Sequence, residues 1–349
     1  MNSPHFLALS TGVPGPRYTQ QEICQQFAAY QQVPERRARA MQAIFERSGV
    51  GFRHFMVPRD FYAVERSTAE RNRLYMPEAI SLGAEVISRL LQTSGYVPQD
   101  IDDFIVVSCT GHGTPGLDLH LAGHLQMRPD LRRASILGMG CYGAFPGLHR
   151  AAETARADRL VLVLCIELCS LHLQINDMAD NVVSTALFAD GAGAVLLGGE
   201  RQSSRLPRMI DSATFCDYTT LDQMTFTLTD HGFQMYLSSY VPDLLSSQVR
   251  AFVDHLLENN GLSRERVRLW GIHPGSTKIV DYVQNQLDLT DEQVESSHRI
   301  LYEYGNMSSV TILFVLEDLI ACQHPEPGDY GVLLAFGPGL TMEAMLLQW

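Results

Sequence analysis

Five unbroken apolar runs, at residues 104–108, 160–165, 194–197, 269–272 and 331–336, constrain this chain more than any other feature. A strand with one wet face alternates polar and apolar residues, whereas an unbroken run fits a strand covered on both faces. Between the runs lie segments with helical spacing, at 77–94, 142–157, 241–259, 276–287 and 307–321. Pro77 suits a first helical turn, and Gly95 and Gly261 suit helix ends. Strands alternating with helices predict an α/β protein whose helices cover its sheets.

The two halves of the chain echo each other. A strand ends near Cys109 in SCTGHG, and Gly140-Cys141 opens a helix 32 residues after Cys109. In the second half a strand ends at His273 in GIHPGS, and Gly305-Asn306 opens a helix 33 residues after His273. Each half then closes on a glycine-punctuated strand pair, LFADGAGAVLLGG at 187–199 and GVLLAFGPGLTMEAMLLQ at 331–348. The expected architecture is therefore a duplicated α/β unit divided in the polar stretch 200–207. Half 1–200 carries the cysteine and half 201–349 the histidine and asparagine. The two helix N-termini are expected to face each other across a pseudo-twofold axis.

Composition narrows the classes. With 349 residues and 46% hydrophobic content the chain can bury a large core, which excludes general disorder. No uncharged apolar run reaches the roughly 18 residues of a membrane span. The start, MNSPHFLALSTGVPGPR, lacks the charged and apolar regions of a secretory signal. Seven cysteines, an odd number without regular spacing, fit a reducing cytoplasm. A net charge of −13 disfavours nucleic-acid binding, which needs concentrated positive charge. Lys278 is the sole lysine, and every other basic chain is arginine or histidine.

Cys141 follows a glycine at a helix start, where unsatisfied N–H groups are expected to lower a thiol pKa. Alone it reads equally as a small apolar residue at a packing point. His273 ends an apolar strand, where α/β sheets bind ligands, yet a lone histidine is more often structural. Asn306 alone reads as an N-cap. Together the three make a chemical set. Imidazole can activate the thiol, and imidazole and amide can both donate to one carbonyl oxygen as an enolate forms there. The turn Phe336-Gly337-Pro338-Gly339-Leu340 reads either as a plain hairpin or as a source of N–H groups from Gly337 and Gly339 for a thioester oxygen.

The segments GCYGAFPGL, GIHPGSTKIVDYV, YGNMSSVTILFVLEDL and AFGPGLTMEAMLLQ resemble, in order, the signatures of the type III polyketide synthases, the chalcone synthase-like family. The resemblance is clear from about Ile101 onward and fainter in ERSGVGFRHFMV near the N-terminus. It implies a thiolase-type fold of two related α/β halves and a homodimer. It implies Cys141 as the nucleophile holding the acyl chain, with His273 and Asn306 promoting malonyl-CoA decarboxylation. Phe188 matches an aromatic gate, Ser308 a cavity position near the asparagine, and Glu167 a cavity-wall acid. Three positions depart from the pattern. Met235 stands where a second gating phenylalanine is usual, Thr114 replaces a methionine that reaches the partner's cavity, and His172 occupies a wall position that is smaller in plant enzymes. Methionine's flexibility would admit a different or longer acyl chain at 235.

CoA phosphates favour arginine forks. Arg36, Arg37, Arg39, Arg47 and Arg53 cluster near the N-terminus, and Arg47, Arg53 and Lys278 are the candidate contacts. His120 and His124 lack the glutamate of an HExxH motif, and Cys165 and Cys169 lack a second cysteine pair, so no metal and no cofactor is expected beyond CoA thioesters as substrates. The resulting expectation is an acyltransferase that condenses an acyl-CoA starter with malonyl-CoA and cyclises the product to a pyrone or phenol. Delivery by an acyl carrier protein is not expected. The rivals are a ketoacyl-ACP synthase III-like enzyme making one bond and a catalytically silent subunit of a related synthase.

Overall fold

Two sheets built to one plan carry the chain. The computed structural model describes residues 3–31, 34–155, 158–176, 178–199, 206–237 and 241–349. In the first half, β1 (His5–Gly12), β7 (Asp190–Gly198), β6 (Val161–Leu168), β4 (Asp103–Val107) and β5 (Arg132–Ile136) lie side by side in that order. β7 runs antiparallel to β1 and β6, while β6, β4 and β5 are parallel. In the second half, β8 (Arg208–Cys216), β13 (Thr341–Gln348), β12 (Tyr330–Gly337) and β11 (Val267–Ile272) repeat those senses: antiparallel, antiparallel, parallel. One residue pair, His5 with Arg208, links β1 to β8 and so joins both into a nine-stranded sheet. Two small antiparallel pairs stand apart from it: β2 (Arg17–Thr19) with β3 (Phe52–His54), and β9 (Met224–Thr229) with β10 (Gly232–Leu237).

Alternate residues of each strand face different helices. On β6, Leu162, Leu164 and Ile166 pack with α3 (Thr68–Ser94) and α4 (Leu117–His124). Val161, Val163 and Cys165 face the other way, onto α5 (Ala144–Thr154) and α10 (Thr311–Gln323). On β12, Leu333 and Ala335 face the same central helices, and Val332, Leu334 and Phe336 turn to α7 (Val241–Asn259), α8 (Thr277–Leu287) and α9 (Asp291–Tyr304). The layers therefore run helix, sheet, helix, sheet, helix, which is why the strands are apolar throughout. α1 (Gln20–Gln31), α2 (Glu35–Glu46) and α6 (Ala179–Leu187) build a further apolar cluster around Cys141 and Phe188.

Some local expectations change. Pro77 lies inside α3 and not in its first turn. The helix starts earlier because Ser67 and Glu70 cap it reciprocally: Glu70 N–H donates to Ser67 Oγ at 3.3 Å and Ser67 N–H to Glu70 Oε2 at 2.8 Å. Pro77 and Arg73, whose carbonyl loses its helical donor, are both exposed, so water can replace that bond. The segment 187–199 is no strand pair. β7 runs straight through Gly191 and Gly193, where a side chain would meet Met307 Sδ at 2.5 Å and Leu313 Cδ1 at 2.9 Å. The glycines let the start of the α10 region press on the strand. The helices expected at 142–157 and 307–321 each begin with a separate 3-10 turn, Gly140–Tyr142 and Ser308–Val310. Of the expected boundary stretch, residues 200–205 lie outside the described residues.

Candidate active site

Cys141 sits in the turn before α5 and is 7% exposed. Gly138 and Gly140 adopt φ of +73° and +70°, a region that side-chain-bearing residues rarely enter. A side chain on Gly140 would also meet Pro338 Cδ at 2.9 Å, so the turn fits closely against the β12–β13 hairpin. Asn306 precedes the matching turn before α10. Its N–H donates to Leu187 O, and Ala189 N–H donates to its carbonyl, each at 2.9 Å, which pairs its backbone with that of Phe188. Ser308 N–H donates to Asn306 Oδ1 at 2.8 Å, and Asn306 Nδ2 donates to Gly275 O at 3.3 Å. The Ser308 and Asn306 side chains also stand close enough to the Cys141 thiol to favour its ionised form.

His273 ends β11, and its N–H donates to Leu334 O at 2.8 Å to extend the parallel ladder. The ring is 1% exposed, and neither nitrogen has a partner. A side chain on Gly275 would lie 3.9 Å from His273 Nε2, and it is the Gly275 carbonyl that takes the Asn306 amide. One short loop thus brings imidazole and amide together. Buried polar atoms without partners are costly, so two on one ring mark a place built for a ligand.

Burial pushes the Cys141 thiol up to about 11 and the His273 imidazole down to about 3. The lowered thiol pKa expected from the helix start is therefore overturned, because desolvation outweighs the effect of Ser308 and Asn306. Both groups rest neutral near pH 7. Transfer of the thiol proton to imidazole would create two charges together, each offsetting part of the other's burial cost.

A cavity of about 630 Å³ opens onto this turn, with Gly140, Tyr142 and Ser308 on its lining. Cys141 lies between two of these residues and Asn306 two residues before the third, and neither is itself on the lining. Phe188 and Met235 are on the wall. Phe226, the cross-strand partner of Met235, meets Phe188 edge to face at 5.9 Å. The aromatic contact missing at 235 is thus supplied from 226, a residue the sequence reading missed. The alternation Met224, Phe226, Leu228 was the available signal, since these share a strand face. His172 also lines the cavity. Its ring stacks on Phe233 at 4.0 Å, its Nε2–H donates to Thr110 O at 2.7 Å, and burial holds it neutral, at about 4.

Other assignments are corrected. Glu167 is wholly buried behind the wall, accepting from Cys109 N–H at 3.0 Å, Thr110 Oγ1 at 2.9 Å and Ser309 Oγ at 2.6 Å. Its carboxylate holds the strand ends together and does not face the cavity. Cys109 was missed: it lines the cavity with Sγ 3.3 Å from Glu167 and 3.6 Å from Ser308 Oγ. Gly339 lines the cavity with φ +74°, but Gly337 does not, since a side chain there would strike the Tyr142 ring at 2.6 Å. Thr114 borders a neighbouring space of about 250 Å³.

Arg53 is no CoA contact. It is 0% exposed, donating to Gln20 Oε1 at 2.6 Å, Phe188 O at 3.0 Å and Thr185 O, with the Phe45 and Phe55 rings over it. Desolvation lowers its pKa to about 9. It braces the backbone of the aromatic wall. Arg47 and Lys278 are exposed, and Gly49, two residues after Arg47, abuts Thr277 at the start of α8. Arg36, Arg37 and Arg39 are exposed along α2. Among the described residues no three His, Cys, Asp or Glu side chains converge as a metal site.

Residues 4–201 match the family described as chalcone and stilbene synthases, N-terminal domain, and residues 213–349 match its C-terminal domain. The chain is 32% identical over 347 residues to 1,3,6,8-tetrahydroxynaphthalene synthase of Streptomyces peucetius subsp. caesius, covering 98% of this chain and 92% of that protein. The crystal structure of PKS-I from the brown alga Ectocarpus siliculosus superimposes with a TM-score of 0.93 at 28% identity, covering 100% of this chain and 98% of that one. That of 1,3,6,8-tetrahydroxynaphthalene synthase from Streptomyces coelicolor A3(2), a bacterial type III polyketide synthase, gives 0.92 at 26% identity, with 99% of each chain covered. The two-halved, layered fold expected for this chain is the fold these structures share.

Proposed function

Because this chain belongs to the chalcone and stilbene synthase family of type III polyketide synthases, condensing enzymes of the acyltransferase class, we propose that it loads an acyl group from CoA onto Cys141 and extends it with malonyl-CoA. The observation that carries the residue assignment is the buried His273 ring, without a partner on either nitrogen, joined through the Gly275 loop to the Asn306 amide, which is itself close to the Cys141 thiol. In loading, His273 takes the thiol proton, the thiolate attacks the acyl-CoA carbonyl, and the imidazolium returns the proton to departing CoA. In extension, malonyl-CoA loses CO₂, and the enolate oxygen accepts from His273 and Asn306. The enolate carbon attacks the Cys141 thioester, releasing the lengthened chain on CoA and a thiolate that takes up one proton. The apolar wall of Phe188, Phe226 and Met235 then folds the chain towards a pyrone or phenolic ring, as the tetrahydroxynaphthalene synthase name implies for that relative. The single-condensation and silent-subunit rivals are not favoured by these relatives.

The test is incubation of the pure protein with malonyl-CoA and a panel of acyl-CoA starters, with products identified by mass spectrometry. Absence of any extended product would overturn the reading.

The neutral histidine gives a pH signature. Its folded pKa of about 3 lies below the ordinary value of about 6.5, so it stays neutral well into acid. Malonyl-CoA decarboxylation by a Cys141→Gln variant is therefore expected to hold its rate from pH 7.5 down to pH 5. A decline with a midpoint near 6.5 would show that His273 is not desolvated during turnover.

CoA phosphates are assigned to Arg47 and Lys278 at the N-terminus of α8, where backbone N–H groups add to the attraction. Both chains are exposed, so the effect is modest. The double variant Arg47→Ala, Lys278→Ala is expected to raise KM for malonyl-CoA about fivefold with little change in kcat. An unchanged KM at low salt would exclude them. The free edge of β5, paired on one side only, supports a homodimer, checked by light scattering. We place the enzyme in the cytoplasm and assign it no cofactor; among the described residues no helix is long and apolar enough to cross a membrane.

A further inference from the structure

We propose that Glu343 and His149, a buried carboxyl and an imidazole 4.0 Å apart behind the nucleophile helix, are positioning residues whose joint charge sets how readily Cys141 ionises. The cluster lies outside the catalytic set, between α5 and the second sheet. Thr341 and Glu343 lie on one face of β13, opposite their β8 partners Cys216 and Thr214. Thr214 Oγ1 donates to Glu343 Oε2 at 2.8 Å, and Cys216 Sγ lies 3.6 Å from Thr341 Oγ1. From the helix side, Tyr142 and His149 reach the same strip. Tyr142 stands close enough to Thr341 and Glu343 to feel both, and His149 Nδ1 stands 4.0 Å from Glu343 Oε2. Tyr142 also lines the cavity and directly follows Cys141, so it couples the strip to the site.

Glu343 is 3% exposed, and among the described residues its only basic neighbour in ion-pair range is His149. His149 Nε2 is buried without a partner, and its other charged neighbours, Arg150 and Glu153, pair with each other at 2.9 Å and oppose each other's effect on it. With one proton the pair is neutral overall, whether as acid and imidazole or as carboxylate and imidazolium. When that proton leaves, a bare carboxylate remains beside Tyr142 and opposes a thiolate at Cys141. Desolvation raises Glu343 to about 7 and lowers His149, so the proton rests on Glu343 and is lost near neutrality.

The inference rests on Cys141 being the nucleophile, but its test needs no substrate, so failure of either reading is distinguishable. Cys141 in the full-length protein is alkylated with iodoacetamide from pH 6 to 9, and the peptide containing it is quantified by mass spectrometry. Glu343→Gln removes the charge and keeps an acceptor for Thr214. Its alkylation rate is expected to match wild type at pH 6 and exceed it about threefold or more at pH 8.5, as for a unit charge on the order of 10 Å away at an effective dielectric of about 40. His149→Arg fixes a cation on the carboxylate and is expected to follow the Glu343→Gln profile. A ratio to wild type that stays constant from pH 6 to 9 in either folded variant would overturn the proposal.

Discussion

Replacement of Cys141 by alanine is expected to abolish chain extension, lowering product formation by at least about 10⁴-fold, the scale seen when a catalytic nucleophile is removed. The substitution is mild for the fold. The side chain is 7% exposed, loses only its sulfur, and sits in a turn whose shape is set by Gly138 and Gly140. The melting temperature should therefore change little while covalent acyl loading, read by intact-protein mass, disappears. Cys141→Gln should separate the two chemical roles. It keeps a hydrogen-bonding group near Ser308 and Asn306, so CO₂ release from malonyl-CoA persists without condensation. Extended product from the alanine variant at even a tenth of the wild-type rate would remove Cys141 from the mechanism, and Cys109, which lines the cavity near Ser308, would become the candidate.

Asn306→Ala is the second large effect. Loss of one preorganised donor to a developing oxyanion costs about 10²–10³ in rate, or roughly 3–4 kcal/mol. The expected consequence is a loss of that size in malonyl-CoA decarboxylation while acyl loading of Cys141 survives. Because Asn306 Oδ1 also accepts from Ser308 N–H, the alanine variant disturbs a turn as well as a donor. Asn306→Asp answers this: it retains the acceptor and offers an anion where the enolate forms, so it should decarboxylate no better than alanine. Decarboxylation in the aspartate variant near the wild-type rate would show that Asn306 is a capping residue only.

How much of this was legible beforehand depends on range. Local patterns carried far: unbroken apolar runs marked strands buried on both sides, and the spacing from Cys109 to Cys141 and from His273 to Asn306 marked the two matching turns. What failed depended on partners distant in sequence. Arg53 reads as a free cation among other arginines, and only the fold brings Gln20, Thr185 and Phe188 around it. Gly191 and Gly193 read as turn formers, yet they are small because Met307 and Leu313 press on them. The helix start at Cys141 carried a sound argument for a lowered thiol pKa, and burial, which a linear pattern does not reveal, reversed it. Phe226 was overlooked because its importance comes from standing across from Met235 and against Phe188.

The separateness of the β9–β10 pair has an evolutionary consequence. This hairpin lines the cavity with Met224, Phe226, Phe233 and Met235, and among the described residues it forms no ladder with the nine-stranded sheet. Cys141, His273 and Asn306 all stand on turns tied to that sheet or to its central helices. Mutations in the hairpin can therefore resize the mould in which a chain is folded without disturbing the groups that make the bond. On the proposed assignment, the architecture holds the bond-making groups on the sheet and its central helices and leaves the cavity liner to a separate hairpin that substitutions can reshape.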